Sequence, residues 1–217
     1  MFHFFNKTST KKDGNLSFLY SGKAQVIQNR QKFLQKYHLK LDDCITLRTQ
    51  HSTKIRIVDY SSKGKEAMDI ESAIPVDALI TQDKNLILFL LTADCLPLTF
   101  YDPQEKVVCL AHLSQKNTKL KFVEKIVEAL VNKFNSRPEN ILVFIGPGIH
   151  KESYFFDLIE TNTQQLTSKG IINKNISISP IDTFANLNFF SHRRSQTIGE
   201  SEGRFATILS LSVLSHS

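Results

Sequence analysis

Thr92-Ala93-Asp94-Cys95-Leu96-Pro97-Leu98-Thr99-Phe100-Tyr101-Asp102-Pro103-Gln104-Glu105-Lys106-Val107-Val108-Cys109-Leu110-Ala111-His112 reads as a β-hairpin. The Asp102-Pro103-Gln104-Glu105 segment has turn chemistry, and β-branched, aromatic and aliphatic residues fill the arms on either side. Setting Tyr101 opposite Lys106 carries the register back until Cys95 faces His112. Directly opposed residues hold their Cβ atoms about 4.5–5.5 Å apart, close enough for a thiolate and an imidazole to share one proton or one metal ion. The hairpin therefore predicts a Cys–His pair at one of its ends.

The rest of the chain bounds what that pair serves. A chain of 217 residues, 41% hydrophobic and 22% charged, is long enough for one substantial core and short for two, so one domain is expected. Met1-Phe2-His3-Phe4-Phe5-Asn6-Lys7 gives way to Thr8-Ser9-Thr10-Lys11-Lys12-Asp13 without an apolar stretch leading to a small-residue cleavage site. The longest apolar run, residues 86–91, is far below membrane-spanning length. A cytoplasmic protein with no membrane partner is the expectation. Cys44, Cys95 and Cys109 are an odd number at spacings that suit no disulfide framework, which fits a reducing compartment and leaves a thiol free for metal or catalysis. The formal charge of +6 raises nucleic acid as a partner, but the lysines are scattered and no basic block interleaves with aromatics. Solvated faces account for the charge.

Periodicity places the other elements. Residues 23–37 form an amphipathic helix through Val26, Ile27, Phe33, Leu34 and Tyr37. Residues 44–48 and 54–59 are β-rich, residues 61–65 read as a loop, and residues 77–80 and 86–91 are strands, the second apolar on both faces and hence central in its sheet. Val123, Ile126, Val127, Leu130 and Phe134 make one stripe on a helix over residues 118–134, with Asn117 or Thr118 placed to cap it. A short buried strand at 141–145 runs into Gly146-Pro147-Gly148, a helix over 157–168 stops at Gly170, and a final strand covers 205–211.

Several motifs now stand in order: Gln50-His51, Asp77-Ala78-Leu79, Thr92-Ala93-Asp94-Cys95-Leu96-Pro97, Ala111-His112, Ile145-Gly146-Pro147, Phe189-Phe190-Ser191-His192-Arg193-Arg194 and Gly203-Arg204. Over nearly the whole chain this order resembles the YfiH-type laccase-domain family, also called the purine nucleoside phosphorylase YfiH family, some members of which are named polyphenol oxidase or peptidoglycan editing factor. The resemblance implies a single α+β domain of mixed β-sheets flanked by helices. It also implies a zinc ion held by His51, Cys95 and His112, with phosphorolysis of adenosine, inosine and methylthioadenosine and deamination of adenosine as activities. A purine nucleoside and phosphate are then the small-molecule partners.

Two imidazoles and a thiolate leave a fourth tetrahedral position open, the arrangement of a catalytic rather than a structural zinc. Copper is the alternative metal under the laccase label, but relay of electrons to oxygen needs further copper sites, and no histidine cluster supplies them. Cys95, His112 and Asp94 are the candidate catalytic residues, Asp94 either moving protons and orienting a ligand or capping the following turn. Gln50, Thr118, Arg193 and Arg194 are the candidate substrate-binding residues. The two arginines and a helix start near Thr118 would cradle phosphate, or the arginines would be helix-end cations.

Departures from the family concentrate after His112. Where members continue Ala-Gly-Trp-Arg-Gly-Thr, this chain has Leu113-Ser114-Gln115-Lys116-Asn117-Thr118, and a family Cys-Thr pair stands as Asp182-Thr183. An indole, a planar guanidinium and both glycines are gone. Two further readings stay open. One is a metal-free cysteine hydrolase or deamidase using Cys95 and His112, as the related fold of cytotoxic necrotizing factor catalytic domains implies, with peptidoglycan-precursor editing beside it. The other is a diverged, weakly active protein that binds a nucleotide or a partner.

Overall fold

The computed structural model describes residues 4–63, 67–69, 71 and 73–211. Met1-Phe2-His3 of the N-terminal reading and Gly64-Lys65 of the expected loop lie outside them.

Alternation along the strands builds a layered single domain. The first sheet joins β1 (Phe5–Thr8), β2 (Cys44–Thr46), β5 (Ile87–Thr92) and β10 (Phe205–Ser210) in the order β1-β10-β5-β2. The second joins β3 (Ile55–Ile57), β4 (Ala78–Thr81), β6 (Leu96–Asp102), β7 (Val107–Leu113), β8 (Leu142–Ile145) and β9 (Ile176–Ile178) in the order β3-β4-β7-β6-β8-β9. Both sheets mix parallel and antiparallel pairs. Successive side chains of a strand point to opposite faces. Leu88 and Leu90 of β5 accordingly meet Leu79, Val108 and Leu110 between the sheets, while Ile87 and Phe89 pack outward with Phe33 and Leu34. Those last two belong to α1 (Lys23–Gln35). As its doubly apolar sequence predicts, β5 is central, flanked by β10 and β2.

On the far face of the second sheet, Leu98, Phe100, Cys109 and Ala111 receive the stripe Val123, Ile126, Val127, Leu130 and Phe134 of α3 (Phe122–Phe134). Each such side chain taken fully from water contributes about 1.5–3 kcal/mol, so this seam anchors the hairpin. The expected single helix is in fact two. A short α2 (Gln115–Lys119) precedes α3, and Lys121, in the left-handed region at φ 56°, breaks them apart. The cap is Ser114 rather than Asn117 or Thr118: Ser114 Oγ accepts from Asn117 N, while Asn117 Oδ1 accepts from Ser114 N. Ser114 completes its box without glycine, and this is how the altered loop after His112 closes.

The hairpin register also differs from expectation. Asp102 is drawn into the ladder opposite Val107 while its carboxylate accepts from Gln104 N and Glu105 N, leaving residues 103–106 as the loop with Lys106 at φ 53°. Pro97, not Cys95, therefore lies opposite His112. A slip of two residues keeps every side chain on its face, so Cys95 still enters from the side the sequence assigns. Helix α4 (Leu158–Ser168) starts on an Asp157 cap, and α5 (His192–Ile198), which periodicity does not single out, starts on Ser191.

Candidate metal centre

His51, Cys95 and His112 come from three separate segments, and their ligand atoms lie within 4.8 Å of one another. His112 is buried on β7, Cys95 is half-buried just before β6, and His51 is exposed in the loop between β2 and β3. The two imidazole rings stand edge to face with centroids 5.0 Å apart. His51 and Asp94 both occupy positive φ, at 52° and 84°. For residues other than glycine this costs about 1–3 kcal/mol each and persists only where neighbours hold the backbone in place.

Asp77 holds one of them. Fully buried just before β4, its carboxylate accepts from His51 N at 3.0 Å, Ser52 N at 2.8 Å, Ser52 Oγ at 2.7 Å and the more distant Gln50 N. Its Oδ1 also takes the Nδ1–H of His112 at 2.9 Å. One carboxylate thus fixes the His51 backbone and selects the His112 tautomer that leaves Nε2 free as a ligand. Burial pushes the Asp77 carboxyl up, but the hydrogen bonds from His112 and Ser52 outweigh it and hold the group below the usual carboxylate range. Periodicity alone does not mark Asp77 as functional; the available signal is a charged residue opening a wholly buried strand, which requires donors around it.

Asp94 is occupied in a comparable way. Its carboxylate accepts from Thr183 Oγ1 at 2.8 Å, Ser191 Oγ at 3.0 Å and Arg193 N at 2.7 Å, which ties the turn before Cys95 to the start of α5. Gly146 and Gly148 pass closely over this turn, since a Cβ at Gly148 would stand 2.4 Å from Leu96 and one at Gly146 2.8 Å from Pro97.

Of the other expected site residues, the structure brings one to Cys95. Arg193 lines a cleft of about 280 Å³ together with Cys95, Gln115 and Tyr154, its guanidinium 5.4 Å from the centroid of the Tyr154 ring. Arg194, one residue on, turns inward. It is buried, pairs with Glu200, and donates to the carbonyls of Thr183, Phe184 and Phe189. Thr118 is also fully buried, inside α2 rather than at a helix start, with its hydroxyl accepting from Asn162 Nδ2 at 3.0 Å. Both are placed away from an anion-binding position. Gln50 is exposed beside His51, outside the cleft. Gln115 and Tyr154 are cleft residues that the sequence reading does not select.

Burial pushes Cys44 and Cys109 far above the usual thiol range, in Cys44 against the opposing charge of Arg30 and with a small addition from Asp43 and Asp42. Burial raises the Cys95 thiol too, but the facing His112 and His51 overcome it and draw it down to about 6, while Cys95 and Asp77 overcome the burial of His112 and lift it to about 9. In metal-free protein at pH 7, iodoacetamide is therefore expected to modify Cys95 and spare Cys44 and Cys109, as peptide mass mapping would read. Equal labelling of all three would contradict the thiolate–imidazolium pairing.

A family model described as multi-copper polyphenol oxidoreductase laccase matches residues 10–155 and 150–212. The chain belongs to this family. It is 28% identical over 204 residues to a protein named purine nucleoside phosphorylase YlmD from Bacillus subtilis, covering 80% of this chain and 73% of the relative. A protein named adenosine deaminase RL5, from an unknown prokaryotic organism, is 24% identical over 131 residues, 60% of this chain and 50% of that protein. Among solved structures, the Bacillus licheniformis hypothetical protein YfiH superimposes with a TM-score of 0.92 at 26% identity over 96% of this chain and 93% of that one. The fold expected from the motifs is the fold found. Among the described residues, no helix is long and apolar enough to cross a membrane.

Proposed function

We propose that the chain is a zinc-dependent purine nucleoside phosphorylase, with adenosine deamination as a related activity of the same site. The observation that carries this reading is the convergence of His51, Cys95 and His112 within 4.8 Å, at a cleft whose wall also presents Arg193. Soft thiolate and imidazole donors, with Asp77 fixing the tautomer of one imidazole, suit zinc; a single donor group of this kind among the described residues suits a copper relay poorly. His51, Cys95 and His112 would hold the ion. When bound, it would supply a Lewis acid for a substrate oxygen.

The chain's own groups do the remainder. Phosphorolysis forms a bond from a phosphate oxygen to C1′ of the ribose and breaks the C1′–N9 bond, whose electron pair leaves with the base. Arg193 supplies the cation for the incoming dianion, its guanidinium against the Tyr154 ring and its backbone N–H donating to Asp94. Asp94 positions that arginine. With its oxygens already accepting three donors, it serves orientation rather than proton transfer. Gln50 flanks the His51 ligand, its backbone N–H held by the Asp77 carboxylate.

Base release that requires phosphate, read by chromatography of nucleoside and free base, tests the reading. Arg193→Ala is expected to raise the phosphate KM roughly ten- to a hundred-fold, the loss of one charge-assisted contact of about 1.5–3 kcal/mol. Arg194→Ala is expected instead to lower the melting temperature, because it deprives three carbonyls of their donor and leaves Glu200 with Lys11 alone. Unchanged phosphate saturation in Arg193→Ala would remove it from this role.

One observation favours a second reading. The Cys95 thiol lies within 4.8 Å of the His112 imidazole that Asp77 orients, which is the arrangement of a cysteine hydrolase with Cys95 as nucleophile and His112 as its proton partner.

A further inference from the structure

His192 opens α5 directly before Arg193, and both residues line the cleft that Cys95 lines. Its Nδ1 stands 2.5 Å from Glu202 Oε1. A carboxylate oxygen that near is met by an N–H and by no ring carbon, so Nδ1 carries a proton and Nε2 is the nitrogen left for the cleft. Glu202 is held in turn by Arg204, whose Nη1 lies 3.3 Å from the other carboxylate oxygen and whose guanidinium also donates to the Gly203 carbonyl and the Tyr20 hydroxyl. Burial pushes the Glu202 carboxyl up, but the hydrogen bond from His192 and the charge of Arg204 outweigh it and hold the group below the usual carboxylate range. The Gly203-Arg204 motif thereby backs an imidazole–carboxylate pair at the cleft wall.

Phosphorolysis calls for such a pair. The purine leaves C1′ as an electron-rich anion unless a proton reaches it, and N7 is an acceptor that every purine base presents away from the sugar. Of the ionisable side chains that line the cleft among the described residues, Asp94 already accepts three donors, Cys95 is a ligand in the reading above, Arg193 does not release its proton, and burial holds the Tyr154 hydroxyl above the usual phenol range. His192 remains, and its exposed ring can recover a proton from water. We infer that His192, positioned by Glu202, is the general acid that protonates N7 of the departing purine. The Nε2–H bond breaks and the N7–H bond forms as the C1′–N9 electron pair passes into the base, which leaves neutral. His192 stays behind as an imidazole with its Nδ1–H on Glu202. The inference rests on the phosphorylase reading above and deepens it.

The test compares kcat for inosine and for 7-methylinosine at saturating phosphate in the zinc-loaded full chain. The base of 7-methylinosine is already cationic and leaves as neutral 7-methylhypoxanthine, so it needs no proton at N7. His192→Ala is expected to lower kcat for inosine about a hundred- to ten-thousand-fold, the usual range for a general acid, and to leave kcat for 7-methylinosine within about two-fold of the parent's. His192→Gln separates this role from a structural one. Glutamine can still hydrogen-bond to Glu202 but has no proton to give, so inosine turnover is expected to stay low where a structural role would be rescued. Glu202→Gln keeps the size of the side chain and removes the charge that favours the imidazolium, and a smaller loss with the same dependence on the base is expected. Zinc content and melting temperature of each variant separate these effects from misfolding. Equal losses on the two nucleosides in folded, zinc-loaded variants, no loss on inosine, or full rescue by His192→Gln overturns the inference while leaving phosphorolysis standing. A parent that releases neither base in the presence of phosphate overturns the phosphorylase reading and the inference with it.

Discussion

Cys95→Ser is expected to lower kcat/KM for inosine by at least roughly a thousand-fold, because a metal-supplied Lewis acid is worth several kcal/mol and each 1.36 kcal/mol is about a factor of ten. Serine keeps the size of the side chain but is a poor ligand for a soft ion, and the two remaining imidazoles cannot hold it alone. The same variant would also be inactive if Cys95 were a nucleophile, so its partner experiment is chelation of the unaltered protein. Stripped of metal, Cys95 still lies beside His112 as a thiolate at neutral pH. As a nucleophile it would go on working; as a ligand it is expected to leave the protein inactive until zinc is restored. Turnover that survives complete chelation would move the assignment to the cysteine hydrolase reading.

Asp77→Ala is expected to have the largest effect on the fold. Its buried carboxylate serves His112, Ser52 and the Gln50–His51 backbone at once, so removal strands several donors and frees a histidine tautomer. Breaking a buried pair by deleting one partner costs about 3–5 kcal/mol, which at this chain length is on the order of 10 °C in melting temperature. Metal affinity is expected to fall about ten- to a hundred-fold in addition, the usual loss when a ligand's supporting carboxylate is removed. His51→Ala provides the contrast: this exposed ligand should take the metal with it and leave the metal-free melting temperature close to the parent's. The pH sign follows from the depressed Asp77 carboxyl. Its contribution is complete above the ordinary carboxylate range and fades as pH falls through its lower folded value, so Asp77→Asn is expected to flatten the acid limb of metal-free stability. An Asp77→Ala protein with the parent's melting curve and zinc affinity would show that the carboxylate is not the organiser of this site.

The sequence makes the strands and the helix seam legible because their periodicity is strong. Val123 to Phe134 repeats on a helical face, and residues 86–91 are apolar throughout, and both lie in the structure where those patterns require. The hairpin is legible to within two residues. Asp102 can close the turn with its carboxylate while also joining the ladder, and nothing in residue type counts those rungs in advance. Because the error is even, Cys95 and His112 still meet. His51 joins them from a separate loop, which only the family motif connects to the hairpin.

Less was legible where side-chain direction decides. Arg193 and Arg194 are neighbours of the same type, yet about 100° of helical rotation sends one to the cleft and the other into a cluster of carbonyls. Helix α5 has no apolar stripe to betray it, since its buried face is made by Arg194 and Ser195. Lys121 breaks the expected long helix in a left-handed conformation that lysine gives no hint of adopting. Asp77 gains its meaning from a partner distant in sequence, His112.

The most direct measurement is the zinc content of protein purified without added metal, by elemental mass spectrometry, for the parent and for Cys95→Ala side by side. About one zinc per chain in the parent and near none in a folded Cys95→Ala protein is the expected result. Zinc retained at the parent's stoichiometry in Cys95→Ala, or a parent that carries no zinc and takes up none, would contradict a centre built from His51, Cys95 and His112.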